Sequence, residues 1–269
     1  MSQTSSAPPD ALAAAAPSSI VAPRPPRERR SIGGYLFMPV FLGLSLLALY
    51  FYVKSQELDS IEVRALNSEN ILSATWEHIQ LAAVSTFFVI LIAVPLGVFL
   101  TRPFTKSFRG IFLTVANIGQ AIPTIGVLAL LAVAFLFLGF EAAIVGLVAY
   151  AVLPVLRNTM VGLEQVDENI LEAGRGMGIS KIGVLTRIEL PLSVPIILAG
   201  VRTALIINVG AATLAAYINA GGLGRILIAG LSTNRLTVQI VGAVLTAVLA
   251  LLIDYLAGIA EDVLRPKGL

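Results

Sequence analysis

Apolar residues gather into six long runs, at about 35–53, 77–100, 111–139, 141–160, 193–217 and 237–258, with short polar segments between them. A bilayer core about 30 Å thick takes about 20 such residues to cross as a helix. The runs therefore predict six membrane-spanning helices. The third is long for one span and carries Pro123 within Gln120-Ala121-Ile122-Pro123-Thr124. Proline lacks the backbone donor and disfavours helix in the residue before it, so a kink or a short interfacial helix is expected ahead of the true span. Pro154 and Arg157 interrupt the inner end of the fourth run.

The segments between runs are equally distinct. Residues 1–33 are rich in Ala, Pro and Ser and include Arg24-Pro25-Pro26-Arg27-Glu28-Arg29-Arg30, a composition that buries no core and predicts a disordered tail. The first run leaves the bilayer at Tyr50-Phe51-Tyr52-Val53-Lys54, without the small residues of a signal-peptide cleavage site. Residues 34–71 are thus expected to be an uncleaved anchor helix and an acidic outer segment. Between the fourth and fifth runs lies the one sizeable polar stretch inside the apolar part of the chain, and residues 219–234 form a glycine-rich connection. Residues 261–269 read as a closing tail.

Charge sets the orientation. Of the 18 Lys and Arg residues, Lys54, Arg64, Arg225 and Arg235 fall on one side of the six-span layout, Arg202 lies within a run, and all the others fall on the opposite side. The positive-inside rule makes that richer side cytoplasmic. Both termini are expected inside, in a multi-pass protein of the cytoplasmic (inner) membrane. Composition narrows the chemistry. Apolar residues make up 57% and charged residues 13%, against about 25% charged in soluble domains. With no cysteine, disulfides, thiolate metal sites and Cys nucleophiles are excluded. The single histidine, His78, leaves little room for a metal site or a His-based triad, and beside Glu77 at the outer edge of the second run it reads as a wetted side chain. No cofactor, metal or nucleic-acid partner is expected.

Residues 164–191 carry the sharpest signal. Asp167 is a good N-cap for a short helix over about 166–173, and the cluster Gly174, Gly176, Gly178 would end it. A second short helix is expected to open near Ser180 and run to Leu190, where Pro191 stops it. Two amphipathic helices around a glycine turn on the cytoplasmic face make a docking knob, which a transporter needs when its motor is a separate chain. No Gly-x-x-x-x-Gly-Lys-Ser/Thr run occurs in the 269 residues, so any ATP that drives this protein would be bound by a partner. Gly174-x-Gly176-x-Gly178 follows no strand pattern, and the turn reading outweighs a nucleotide fingerprint.

The spacing Glu172-Ala173-Gly174, three residues, Gly178, nine residues, Ile188, one residue, Leu190-Pro191 resembles the EAA loop of ABC importer permeases, with Gly174 in place of the second alanine. The resemblance spans about residues 72–260. Gln120–Thr124, Leu153–Thr159, Ala199–Ala204 and Ala220-Gly221-Gly222-Leu223-Gly224 are similar to the glycine betaine, choline and carnitine permeases. It implies an all-α, type I (MetI-like) fold, with a five-helix permease core joined to one anchor helix. It also implies an ATPase docked on Glu172, Ala173, Gly174, Gly178, Ile188, Leu190 and Pro191, an extracytoplasmic substrate-binding protein, and a second permease copy, identical or paralogous. By that resemblance Glu172 makes a polar contact and Gly178 the tight turn.

Other polar residues keep two readings. Arg202 and Asp254 sit at membrane depth on antiparallel spans, where ionisable residues are expensive and face one another or a cavity; they form a pair, or they belong to the pathway. Asn117, Gln120 and Asn208 bond between helices or line a pore. Tyr50, Tyr52 and Trp76 fit an interfacial aromatic belt, and residues 219–234 are a plain connector or an outer gate. The reading that follows is a transport subunit with no bond chemistry of its own. The rivals are an ion-gradient-driven transporter or channel, which would favour several intramembrane carboxylates, and a membrane-embedded enzyme.

Overall fold

A computed structural model describes residues 32–105 and 107–264. Of the expected tails over 1–33 and 261–269, residues 1–31 and 265–269 lie outside the described residues, as does Lys106, while residues 32 and 33 already belong to a helix. The chain divides into two units, Met1–Leu36 and Phe37–Leu269. Of the first, only the opening turns of a helix, residues 32–36, are described.

Helix α1, Ile32–Lys54, is the anchor run. Among its described side chains only Leu42 is buried, so the rest of its surface is left to lipid or to other chains. Helix α2, Ser60–Ala65, is a single capped turn within the acidic segment: Asp59 accepts from Ile61 and Glu62 amides, and Glu62 reaches back to the Asp59 amide. Helix α3, Ser68–Leu100, opens at Asn67, whose side chain accepts from the Asn70 amide at 2.7 Å. Its 33 residues rise about 50 Å at 1.5 Å each, well beyond the bilayer core. The helix that carries the second run thus begins at Ser68, with polar first turns ahead of the apolar residues.

The third run breaks as Pro123 requires. Helices α4, Arg109–Ala121, and α5, Thr124–Ala134, meet at 90°, and each is too short to cross alone. Together they are long and apolar enough for one bent span. Arg109, opening α4, bonds to Glu164 at the end of helix α6, Phe140–Glu164. The connection after α5 ends where the Gly139 amide bonds the Ile218 carbonyl at the opposite end of the bundle. Among the described residues five helices are long and apolar enough to cross a membrane, and the count reaches the expected six when this bent pair is taken as one span. No cleanly straight third helix exists.

Helices α7, Glu168–Gly176, and α8, Lys181–Val184, form the polar stretch after α6. A π turn, Leu185–Glu189, joins α8 to helix α9, Leu190–Ala212. Pro191 does not stop the helix as expected. It sits in the first turn of α9, and the wider π turn, with the Leu190 amide on the Leu185 carbonyl, carries the chain past the missing donor. Beyond α9 come a 3-10 turn, Thr213–Ile218, helix α10, Gly224–Ser232, and helix α11, Leu236–Leu264. Two expectations are corrected here. The glycine-rich connection contains a helix, and residues 261–264 continue α11.

Helices α3, α6, α9 and α11 form the centre of the bundle, with α4 and α5 against α6 and α10 against α11. Alanine dominates the seams. Ala142, Ala143, Ala211, Ala212 and Ala215 pack with Leu81, Leu128 and Leu147 near the end of the bundle where Gly139 meets Ile218. Val89, Ala93, Ala151, Leu156, Met160 and Ala204 do so nearer the end at Glu164. Small side chains let helices approach closely where lipid offers no hydrophobic drive to associate. Gly97 lies directly against Thr159, and Gly200 against Asn158.

Candidate functional site

The stretch 164–191 folds into two short helices around one tight turn. Asp167 caps α7 by accepting from the Asn169 amide at 2.9 Å, and Ser180 caps α8 by accepting from the Gly183 amide at 3.1 Å. Helix α7 outruns the expected end at Ala173, because Gly174 and Gly176 are helical and only Gly178 is left-handed, at φ +81°. The Ile179 amide bonds the Gly174 carbonyl at 3.2 Å and the Gly178 amide bonds Arg175 at 2.9 Å, the paired bonds of a Schellman stop. Gly174 has a different task. It is buried, and a Cβ built on it lies 2.7 Å from Ile188 Cδ1, the flexible end of that side chain, so α7 lies close on the π turn and leaves no room for a side chain much beyond Cβ. Leu171 and Val184 complete this small core.

The outer surface of the knob is open. Glu172 and Ala173 are exposed, and Glu172 makes no hydrogen bond or ion pair among the described residues. Around them stand Ile170, Met177 and Ile182, the last two about three-quarters exposed. A polar segment that shows bare Met and Ile side chains beside an unpaired carboxylate carries the makings of a protein interface: apolar area for affinity and a charge for register. Leu190 and Pro191 are half-buried where the knob enters α9.

Ion pairs tie the knob to the bundle. Glu189, on the π turn and 5% exposed as a residue, receives Arg102 at 2.6 and 3.4 Å. Arg102 follows the end of α3, so the pair binds the start of α9 to that end. Sequence reading missed it. The sole hint was a carboxylate between Ile188 and Leu190 in an otherwise apolar approach to the span. A cleft of about 690 Å³ opens beside the pair, lined by Arg102, Phe104, Arg175, Lys181, Ile182 and Glu189 among others. Arg202 and Asp254 are brought together, Nε to Oδ1 at 2.7 Å, and Glu261 approaches the same guanidinium at 3.4 Å. The polar residues within runs also join helices. Arg157 donates to Asn117 at 2.8 Å, and Asn208 to Thr86 at 3.1 Å. Among the described residues no cluster of three His, Cys, Asp or Glu could hold a metal.

At the Gly139 end of the bundle His78 departs from expectation. It is fully buried, because α3 extends ten residues ahead of it and the Val209 and Leu223 backbone closes over it. Its Nε2 lies 2.8 Å from the Val209 carbonyl, and its Nδ1 accepts the Leu223 amide at 3.2 Å.

The model of the family described as "Binding-protein-dependent transport system inner membrane component" matches residues 93–267. The chain belongs to this family. Among its relatives, the choline transport system permease protein OpuBB of Bacillus subtilis is 41% identical over 203 residues, covering 76% of this chain and 92% of that protein. The carnitine transport permease protein OpuCD of Listeria monocytogenes is 38% identical over 207 residues, covering 77% and 92%. The osmoprotectant import permease protein OsmY of Salmonella typhimurium is 36% identical over 211 residues, covering 78% and 88%. A solved structure of the MetNI methionine ABC transporter in an inward-facing conformation is similar at a TM-score of 0.64 and 27% identity, over 74% of this chain and 97% of that one. The family, the helical fold and the long apolar helices together make this a multi-pass inner-membrane permease of the ABC importer class.

Proposed function

We propose that this permease imports a quaternary-amine osmoprotectant, such as glycine betaine, choline or carnitine, using ATP bound by a separate subunit. The observation that carries the reading is the exposed knob at residues 164–191, which continues through the π turn into α9 without a break. Movement imposed on α7 and α8 by an ATPase would pass directly into a membrane-spanning helix. Glu172, Ala173 and Gly178 would meet the ATPase, while Gly174, Ile188, Leu190 and Pro191 shape the knob and its exit. The solute class rests on relatives named for choline, carnitine and osmoprotectant transport.

The working assembly is two permease copies, identical or paralogous, with two ATPases on the cytoplasmic side and a loaded binding protein outside. Both termini are cytoplasmic, as the distribution of Lys and Arg supports. The chain holds no phosphate-binding loop of its own and performs conformational work only. The ion-driven alternative loses ground, since the one carboxylate expected at membrane depth, Asp254, is held by Arg202. The test is uptake of labelled glycine betaine, choline and carnitine into proteoliposomes holding the full transporter. Uptake of at least one solute that needs both internal ATP and the binding protein is expected. Uptake driven by an ion gradient without ATP would overturn the reading.

A further inference from the structure

At the end of the bundle where Gly139 meets Ile218, main-chain groups of α9 and of residues 222–223 rest on side chains of α3. At Thr213 the helix tightens, the Thr213 amide turns to Gly210, and the Val209 carbonyl loses its usual donor four residues on. His78 Nε2 supplies the replacement at 2.8 Å. The other ring nitrogen accepts the Leu223 amide at 3.2 Å, so the partners require a neutral ring protonated on Nε2. Next to it, Glu77 accepts the Gly222 amide at 2.9 Å and the Ser73 hydroxyl at 3.1 Å. Arg225 approaches Glu77 at 3.5 Å from the solvent side. Gly221 and Gly222 are both left-handed, at φ +86° and +85°. A Cβ on Gly221 would collide with the Glu77 carboxylate, and one on Gly222 would stand 3.1 Å from His78 Nδ1. Only glycine meets both demands at once.

We infer that Glu77 and His78 are the seat of an outer latch, and that residues 221–223 lift from it when the pathway opens outward. The inference rests on the importer reading above, in which the outer end must close whenever the pathway faces inward. Packing alone does not hold the loop. Two adjacent backbone amides dock on two adjacent side chains, and buried amides need partners. Water can replace both partners once the loop lifts. Glycines at 221 and 222 allow the backbone to change basin without a side-chain penalty. Arg225, half-exposed and bonded also to Asn70 at 3.1 Å, couples Glu77 to a cleft of about 560 Å³ on the outer face. His78 and Glu77 are positioning residues: they set where the loop rests and touch no reacting group.

The chain has no cysteine, which gives a clean test. A Cβ on Gly221 lies 3.4 Å from Glu77 Cβ, close to the spacing of about 3.8 Å across a disulfide. In the full transporter carrying Glu77→Cys/Gly221→Cys, whatever rate of labelled glycine betaine or choline uptake the reduced variant keeps should fall at least tenfold on oxidation, with recovery on reduction. Equal rates in the two states would overturn the latch. A second measurement needs neither partner nor substrate. Leu223→Cys, at a buried position of the loop itself, should react slowly with a membrane-impermeant maleimide, and at least tenfold faster when His78→Leu is added. His78→Gln, which keeps a donor and an acceptor, should restore slow labelling. Equally fast labelling of Leu223→Cys alone, with His78→Leu and with His78→Gln would also overturn it. Absence of ATP-dependent uptake in the unaltered transporter would instead count against the importer reading and leave the labelling result standing.

Discussion

Replacing Arg102 by Gln removes the partner of a carboxylate that has almost no access to water. The Glu189 side chain is 7% exposed and the Arg102 side chain 29%. Breaking a fully buried pair by deleting one partner costs about 3–5 kcal/mol, because the remaining charge is stranded. Exposure of the Arg102 side screens part of this, which brings the expected loss to about 2–3 kcal/mol. For a chain of this size each kcal/mol moves a melting temperature by about 2–4 °C, so Arg102→Gln in detergent should melt roughly 4–12 °C lower. Glu189→Gln should cost less, since Arg102 can turn to water. The Arg102→Gln/Glu189→Gln double variant should recover part of the loss, because two neutral amides strand no charge. A double-variant loss equal to the sum of the singles would refute the reasoning. So would an Arg102→Gln protein that melts with the unaltered one.

Further outcomes follow from neighbouring positions. Gly174→Ala should leave ATPase co-purification intact, since the atom it meets is the mobile end of Ile188 and alanine favours helix by about 1 kcal/mol; Gly174→Leu should abolish it. Gly178→Ala forces a side chain into a left-handed turn at φ +81°, about 1–2 kcal/mol of strain. It should weaken ATPase binding several-fold in a titrated pull-down without lowering the amount of permease in the membrane. Asp254→Asn should reduce assembled protein, measured by detergent size-exclusion chromatography. Arg202→Asp/Asp254→Arg should restore it only in part, because Glu261 also sits on the Arg202 guanidinium.

Local chemistry was legible in the chain, and distant partners were not. Asp167 and Ser180 announced helix starts through their own side chains, and Gly178 its turn, because each acts on backbone within a few residues. The runs announced spans for the same reason. His78 was misread because the polar turns before it look like a loop, whereas the Asn67 cap starts α3 eleven residues ahead of it. Its burial depends on Val209 and Leu223, more than 130 positions away. Glu189 likewise finds Arg102 across 87 positions. Pro191 misled in the opposite sense: its missing donor predicts a stop, and a π turn meets the same constraint with the helix unbroken. In the connection 219–234 the glycines disguised α10, where their role is close contact, as at Gly230 against Gln239.

The central claim is that the knob at 164–191 receives the ATPase and passes its movement into α9. It is tested most directly by purifying the detergent-solubilised permease from native membranes, unaltered and as Glu172→Lys, and identifying what comes with it. The account predicts an ATPase subunit with the unaltered protein and its loss with Glu172→Lys, at equal permease yield. Failure of any ATPase to accompany either form, or equal retention by both, would contradict it.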